Sequence, residues 1–122
     1  MAEDFVNNHY NKTYDTERAN IQKHYHPEAM LTFESENHVG AQAISAKLNS
    51  LPFQQVRHTV LTVRVQPSVT SGFVIALVTG QFEALGLDKP FGYSQVFQLA
   101  VPQSGRAEDF LVCNDLFMLA FN

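Results

Sequence analysis

The first fifteen residues place Phe5, Val6, His9, Tyr10, Thr13 and Tyr14 at helical intervals among polar neighbours. That spacing predicts a helix over Ala2 to Asp15 with one buried face. Asp15-Thr16 offers caps for a second short helix, Thr16 to His24. Pro27 closes it, because a proline drives the preceding residue out of helical geometry. Ala29 to Phe33 reads as a short apolar strand. A polar turn follows, then Gly40 and a third helix on which Ala41, Ile44, Leu48 and Leu51 share a side; Pro52 stops it.

Beyond Pro52 the hydrophobic period falls to two, the repeat of a strand. Gln55 to Gln66 alternates Val56, His58, Val60 and Thr62 against Arg57, Thr59, Leu61 and Val63. Turn residues at Pro67-Ser68 and Ser71-Gly72 lead into Phe73 to Leu85, a nearly continuous apolar run. Gly86 to Pro90 turns the chain again, Phe91 to Val101 alternates, and Glu108 to Phe121 forms a last long strand after a polar loop. Helix, helix, strand, helix, then four strands joined by short turns implies an α+β fold. The helices gather on one side of a curved antiparallel sheet. The last strand is apolar on both faces, with Cys113, Phe117, Leu119 and Phe121 opposite Val112, Leu116, Met118 and Ala120. Helices cover only one face. The other is an apolar patch that predicts a two-fold homodimer packed sheet to sheet.

At 122 residues the chain suits a single domain over 1–122, and ten Phe and four Tyr supply bulky core material. A net charge of −4 argues against nucleic acid, whose binders are basic, and is compatible with a basic protein partner. No apolar run approaches a membrane span. The polar, acidic start MAEDFVNNHY does not resemble a secretion signal. Cys113 stands alone in an apolar run, which excludes a disulfide framework and favours an inert, buried thiol.

Three clusters bear on chemistry. Phe33-Glu34 sets an aromatic beside a carboxylate at a strand end roofed by a helix, the outline of a pocket rim. His58 and Asp115 both fall on the cavity-facing parity. They are either a general base working with Tyr10 or Tyr14, or an internal His58–Asp115 hydrogen bond that stiffens the fold. His24-Tyr25-His26 does not suit a metal, because histidines two apart do not share a helix face and no third ligand has suitable spacing.

The runs LTFE, GAQAISAKLNSLPFQQVRH, VTGQFEA, FGYSQVFQL and VCNDLFMLAF, in this order over His9 to Phe121, resemble the nuclear transport factor 2 family. The resemblance implies a cone-shaped α+β homodimer with a hydrophobic cavity and no catalysis or cofactor. It implies binding to the GDP form of the GTPase Ran and to phenylalanine-glycine repeats of nucleoporins, in cytoplasm and nucleus and at the nuclear envelope and pore. Carried across residue by residue, Glu34 matches a rim glutamate, and Phe33 stands where the family has a tryptophan. Leu51, Val56, Phe91, Phe117 and Leu119 match cavity-lining positions that receive a phenylalanine of the GTPase. Leu77, Val96 and Leu116 match methionines of the dimer face. The hairpin EALGLDKPFG is one residue longer than the family's. In it Asp88 stands for one of two acids, Leu85 replaces the other and Lys89 adds opposing charge. The tryptophan with which the family's first helix binds nucleoporins has no counterpart, since the sequence holds no Trp.

Overall fold

The computed structural model describes residues 1–53, 55–86 and 88–120. Helix α1 covers residues 2–16: α-helical at Ala2–Asp4 and Asn11–Thr16, and widened to π geometry at Phe5–Tyr10. The wider turn keeps Phe5 and Tyr10, five residues apart, on one face with ring centroids 6.3 Å apart. The second helix, α2, is a 3₁₀ segment, Arg18–His24, that buries Ile21 and His24. Its N-cap is Glu17, with no side-chain cap bond, so the expected capping by Asp15-Thr16 does not occur; the Asp15 carboxylate goes elsewhere.

Strand β1 is Tyr25–Phe33, four residues longer at its start than the apolar run suggested. Pro27, expected to stop a helix, lies inside it. Strand β2, Glu36–Val39, pairs with β1 only from Met30 onward, so Pro27's missing N–H costs no ladder bond on that side. β2 corrects the sequence reading, which had a polar turn there: Glu36, Asn37 and Val39 are exposed and His38 is half-buried, so the strand has no apolar buried face to signal it. Helix α3, Ala41–Asn49, starts behind Gly40, whose φ of 93° is open to glycine at low cost. It packs Ile44 and Leu48 into the core.

Strands β3 (Val56–Pro67), β4 (Phe73–Ala84), β5 (Phe91–Ala100) and β6 (Leu111–Ala120) follow as an antiparallel meander. The six-stranded sheet has the order β2-β1-β6-β5-β4-β3. One pairing departs from the expected all-antiparallel arrangement: β1 runs parallel to β6, placing Phe33 beside Phe117. Two register shifts also invert the expected parity. One, between Val60 and Thr62, sets Thr62 opposite Thr79 on the outer face. The other, near Cys113, turns Val112 inward to complete burial. Phe121, expected at the end of the last strand, lies outside the described residues.

The inward face carries Ala76, Val78, Phe82, Tyr93, Phe97, Leu99 and Val112 against Phe5, Val6, Tyr10, Ile21 and Leu48. At Gly80 the helix-facing side is so crowded that a Cβ would lie 2.3 Å from the Thr59 carbonyl oxygen. The outward face is bare. Leu77, Val96 and Leu116 fall in one register row across β4, β5 and β6, with Ile75 and Met118 in the rows beside it. Leu116 is 53% exposed and Met118 60%. The helices thus cover one face of β4, and its apolar outer face stands open in the single chain.

Candidate functional site

The sheet curls around a small cavity between α1, α3 and strands β1, β3, β5 and β6. Leu31, Phe33, Leu48 and Phe117 form its apolar end; Tyr10, Tyr14, His58, Gln95 and Asp115 form its polar end. Its volume is about 10 Å³, room for one water molecule. Phe33 and Phe117 close the apolar end as a stacked pair, 4.9 Å apart and 6° from parallel. Tyr93 continues the stack on Phe117 at 5.4 Å.

The polar end is built around one fully buried carboxylate. Asp115 Oδ2 accepts from the Tyr25 hydroxyl at 2.7 Å, and Oδ1 accepts from Gln95 Nε2 at 2.8 Å. Tyr10 lies 2.6 Å from the Tyr25 hydroxyl and 3.4 Å from Asp115 Oδ2. Tyr25 has one proton and gives it to Asp115, so Tyr10 is the donor in the 2.6 Å contact. Burial pushes the Asp115 carboxyl up to about 6; the bonds from Gln95, Tyr25 and Tyr10 favour the ionised form but do not outweigh the loss of solvent. Burial and the neighbouring carboxylate raise both tyrosines well above the ordinary phenol range. The network thus clasps α1, β1, β5 and β6 together at one point.

His58 does line the cavity, as its parity predicted, yet it does not bond Asp115. Its Nδ1 pairs with Asp15 Oδ1 at 2.7 Å, and its backbone N–H donates to Asp15 Oδ2 at 2.9 Å. The topology explains the correction. β3 and β6 are three strand spacings apart, about 14 Å along the sheet, while the last turn of α1 sits directly on β3. Tyr14, Phe82 and Tyr93 box the imidazole edge-on at 4.7, 5.2 and 5.5 Å.

The rim is made by the β1–β2 turn. Glu34 has φ 59°, a left-handed setting that costs a non-glycine residue about 1–2 kcal/mol. Two bonds to β6 offset that cost: the Glu34 N–H donates to the Phe117 carbonyl at 2.9 Å, and Oε1 accepts the Leu119 N–H at 2.6 Å. The carboxylate is thus fixed at the cavity edge while remaining exposed. Beside it, Lys47 of α3 bonds both Glu36 oxygens at 2.8 and 3.1 Å, and its ammonium lies 5.5 Å from the Phe33 ring centre. The Lys47 bonds and charge lower the Glu36 pKa.

Of the other positions singled out by sequence, Val56 is buried, and Leu51, Phe91 and Leu119 are half-buried around the same end of the sheet. None of these four lines the small cavity itself. Asp88 and Lys89 are exposed in the turn between β4 and β5, and Leu85 is 73% exposed; residue 87 of that hairpin lies outside the described residues. Cys113 is half-buried, and burial raises its thiol pKa. His24 is buried against Thr13 Oγ1 at 3.0 Å, and loss of solvent lowers its pKa to about 4. Among the described residues no three His, Cys, Asp or Glu side chains group as metal ligands. Sequence reasoning missed Asp15, Tyr25 and Gln95 as members of the site. Asp15 reads along the sequence as a helix end, Tyr25 only as the centre of His24-Tyr25-His26, and Gln95 carries no signal beyond its inward parity.

Comparison with known proteins gives a consistent picture. The family model for the nuclear transport factor 2 domain matches residues 1–119. Nuclear transport factor 2 of Neurospora crassa is 45% identical over 111 residues, which are 91% of this chain and 86% of the relative. The solved structure of nuclear transport factor 2 from Cryptosporidium parvum superposes with a TM-score of 0.86 at 37% identity, covering 98% of this chain and 92% of that one. A hexachlorocyclohexane dehydrochlorinase superposes with a TM-score of 0.74 over 98% of this chain and 82% of its own, at 8% identity. That last likeness is one of fold alone.

Proposed function

The chain belongs to the nuclear transport factor 2 family, and from that premise we propose that it carries a Ran-like GTPase in its GDP form into the nucleus. It acts by binding, without catalysis, cofactor or nucleic acid. It works in cytoplasm and nucleus and at the nuclear pore, where it meets phenylalanine-glycine repeats. The docking surface is the aromatic mouth of the cone, comprising Phe33, Leu51, Val56, Phe91, Phe117 and Leu119 with the acids Glu34 and Asp88. An aromatic anchor packs among the rings, and basic residues of the partner meet the rim carboxylates. The row Leu77, Val96 and Leu116 is the two-fold interface, since it is the apolar face that no helix of the chain covers.

Glu34 is the observation that carries the docking reading. A non-glycine residue held at positive φ, with its carboxylate tied to the β6 backbone yet open to solvent, is strain retained at one spot on the rim. The enzyme reading has less support: His58 and Asp115 are each bonded to other partners, and the cavity between them admits one water.

Capture of Ran loaded with GDP or GTP tests the proposal. We expect selective capture of the GDP form, and its loss in Glu34→Lys. Glu34→Gln keeps an oxygen for the Leu119 N–H and loses the charge; it should weaken capture while leaving the melting temperature unchanged. Undiminished affinity of Glu34→Lys in calorimetry would sink the docking reading.

A further inference from the structure

We propose that the Glu36–Lys47 ion pair is a latch holding Phe33 across the cavity mouth, and so sets how readily an aromatic side chain enters. The proposal rests on the docking reading and adds its control element. A void of about 10 Å³ cannot take a benzene-sized group, which needs a cavity on the order of 150 Å³. Some wall must therefore move before any ring enters.

The lining singles out which. Tyr10, Leu31, Leu48, Gln95 and Asp115 are buried in the core or in the Asp115 network. Phe33 is only partly buried and ends β1 at the turn into β2. β2 has four residues and a single neighbouring strand, so this corner is the least supported part of the sheet. Phe117 stacks on the Phe33 ring, and the Lys47 ammonium lies over the same ring, 5.5 Å from its centre. Lys47 is in turn held by both oxygens of Glu36, and its side chain is only 19% exposed. Lys47 comes from α3 and Glu36 from β2, so the pair bridges the two elements that flank the ring. For Phe33 to swing out, the ammonium must leave its face and the bridge must part.

A ligand that binds only the open state has its apparent affinity reduced by the fraction open. Removing the latch therefore tightens binding by the factor the latch contributed. An exposed ion pair together with a cation–π contact amounts to about three- to twentyfold.

Toluene, the phenylalanine side chain as a free molecule, is the probe, titrated into the full chain and followed by amide NMR shifts of Phe33, Phe117 and Leu119. Lys47→Met keeps the aliphatic stem and removes the charge; we expect toluene to bind it several-fold tighter than wild type. Glu36→Gln, which keeps the side chain's length and removes its charge, should tighten binding by a smaller factor. Phe33→Ala removes the door and should bind tightest, and adding Lys47→Met to it should change nothing. Equal affinity in wild type and Lys47→Met, a Lys47→Met effect that persists without Phe33, or no binding to Phe33→Ala would each overturn the latch. GTPase capture by wild type and Lys47→Met, both of which keep Phe33, separates the two ideas. Lost capture with the toluene effect intact refutes only the docking reading, and intact capture without a toluene effect refutes only the latch.

Discussion

Replacing Asp115 with asparagine separates the charge of the cavity floor from its shape. Burial moves the carboxyl from an ordinary 3.8 to about 6. Each tenfold change in proton affinity is about 1.4 kcal/mol, so ionising Asp115 inside the fold costs about 3 kcal/mol more than in the unfolded chain. The folded value is the higher one. The stabilisation from this group is therefore complete below pH 3.8, declines as pH rises, and is gone once pH passes about 6. Asparagine does not titrate, and its oxygen still accepts from Tyr25 while Gln95 turns its amide over. The stability of Asp115→Asn minus wild type should thus grow by about 2.4 kcal/mol between pH 4 and pH 7, since a small part is already lost at pH 4. Unfolding entropy for 122 residues is about 0.26 kcal/mol/K, so the gap corresponds to about 9 °C in melting temperature. Urea denaturation followed by circular dichroism, at fixed protein concentration and at pH 4, 5, 6 and 7, reads it. Any fixed packing cost of the substitution cancels in the difference between pH values. Parallel stability curves for the two proteins would refute the reasoning, because they would mean that Asp115 titrates alike folded and unfolded.

Asp15→Ala leaves the His58 Nδ1 and backbone N–H without their carboxylate partner, and should cost about 2–4 kcal/mol in urea denaturation; a loss below half a kcal/mol would show that the pair contributes only geometry. Leu116→Asp puts a charge in the centre of the outer apolar row and should yield a folded monomer by sedimentation velocity, whereas a persistent dimer would place the interface elsewhere.

Helix α3 and the three hairpins of the meander were legible because each carries its own local signal: a glycine and a proline bracketing a helical period, or a period of two broken by turn residues. β2 was not, since Glu36–Val39 lies at the sheet edge with no buried side and so needs no apolar alternation. The parallel β1–β6 pairing was not legible either, because hydrophobic pattern says which face of a strand is buried but not which strand lies beside it. The two bulges follow from the same limit. A single added residue reverses parity downstream of it, so Val112 was put on the outer face although it is wholly inside. At the site, Phe33-Glu34 and the inward parity of His58 and Asp115 could be read along the chain. Their partners could not, because Asp15 reaches His58 across 43 positions and Tyr25 reaches Asp115 across 90.

Those distances along the chain also order the events of folding. The β3–β4 and β4–β5 hairpins close over short turns and can form early and independently. The parallel seam joins β1 to β6, and the contacts that tie the N-terminal elements to β6 are all long: Tyr25 to Asp115 at 90 positions, Tyr10 to Asp115 at 105, Glu34 to Leu119 at 85. The loop-closure entropy of that seam must be met before its contacts reward it. On a ribosome, α1, α2 and β1 emerge first, and β1 lacks its parallel partner until β6 has left the exit tunnel. The cavity mouth, closed by the Glu34 bonds to β6, is thus the last part of the protein to form.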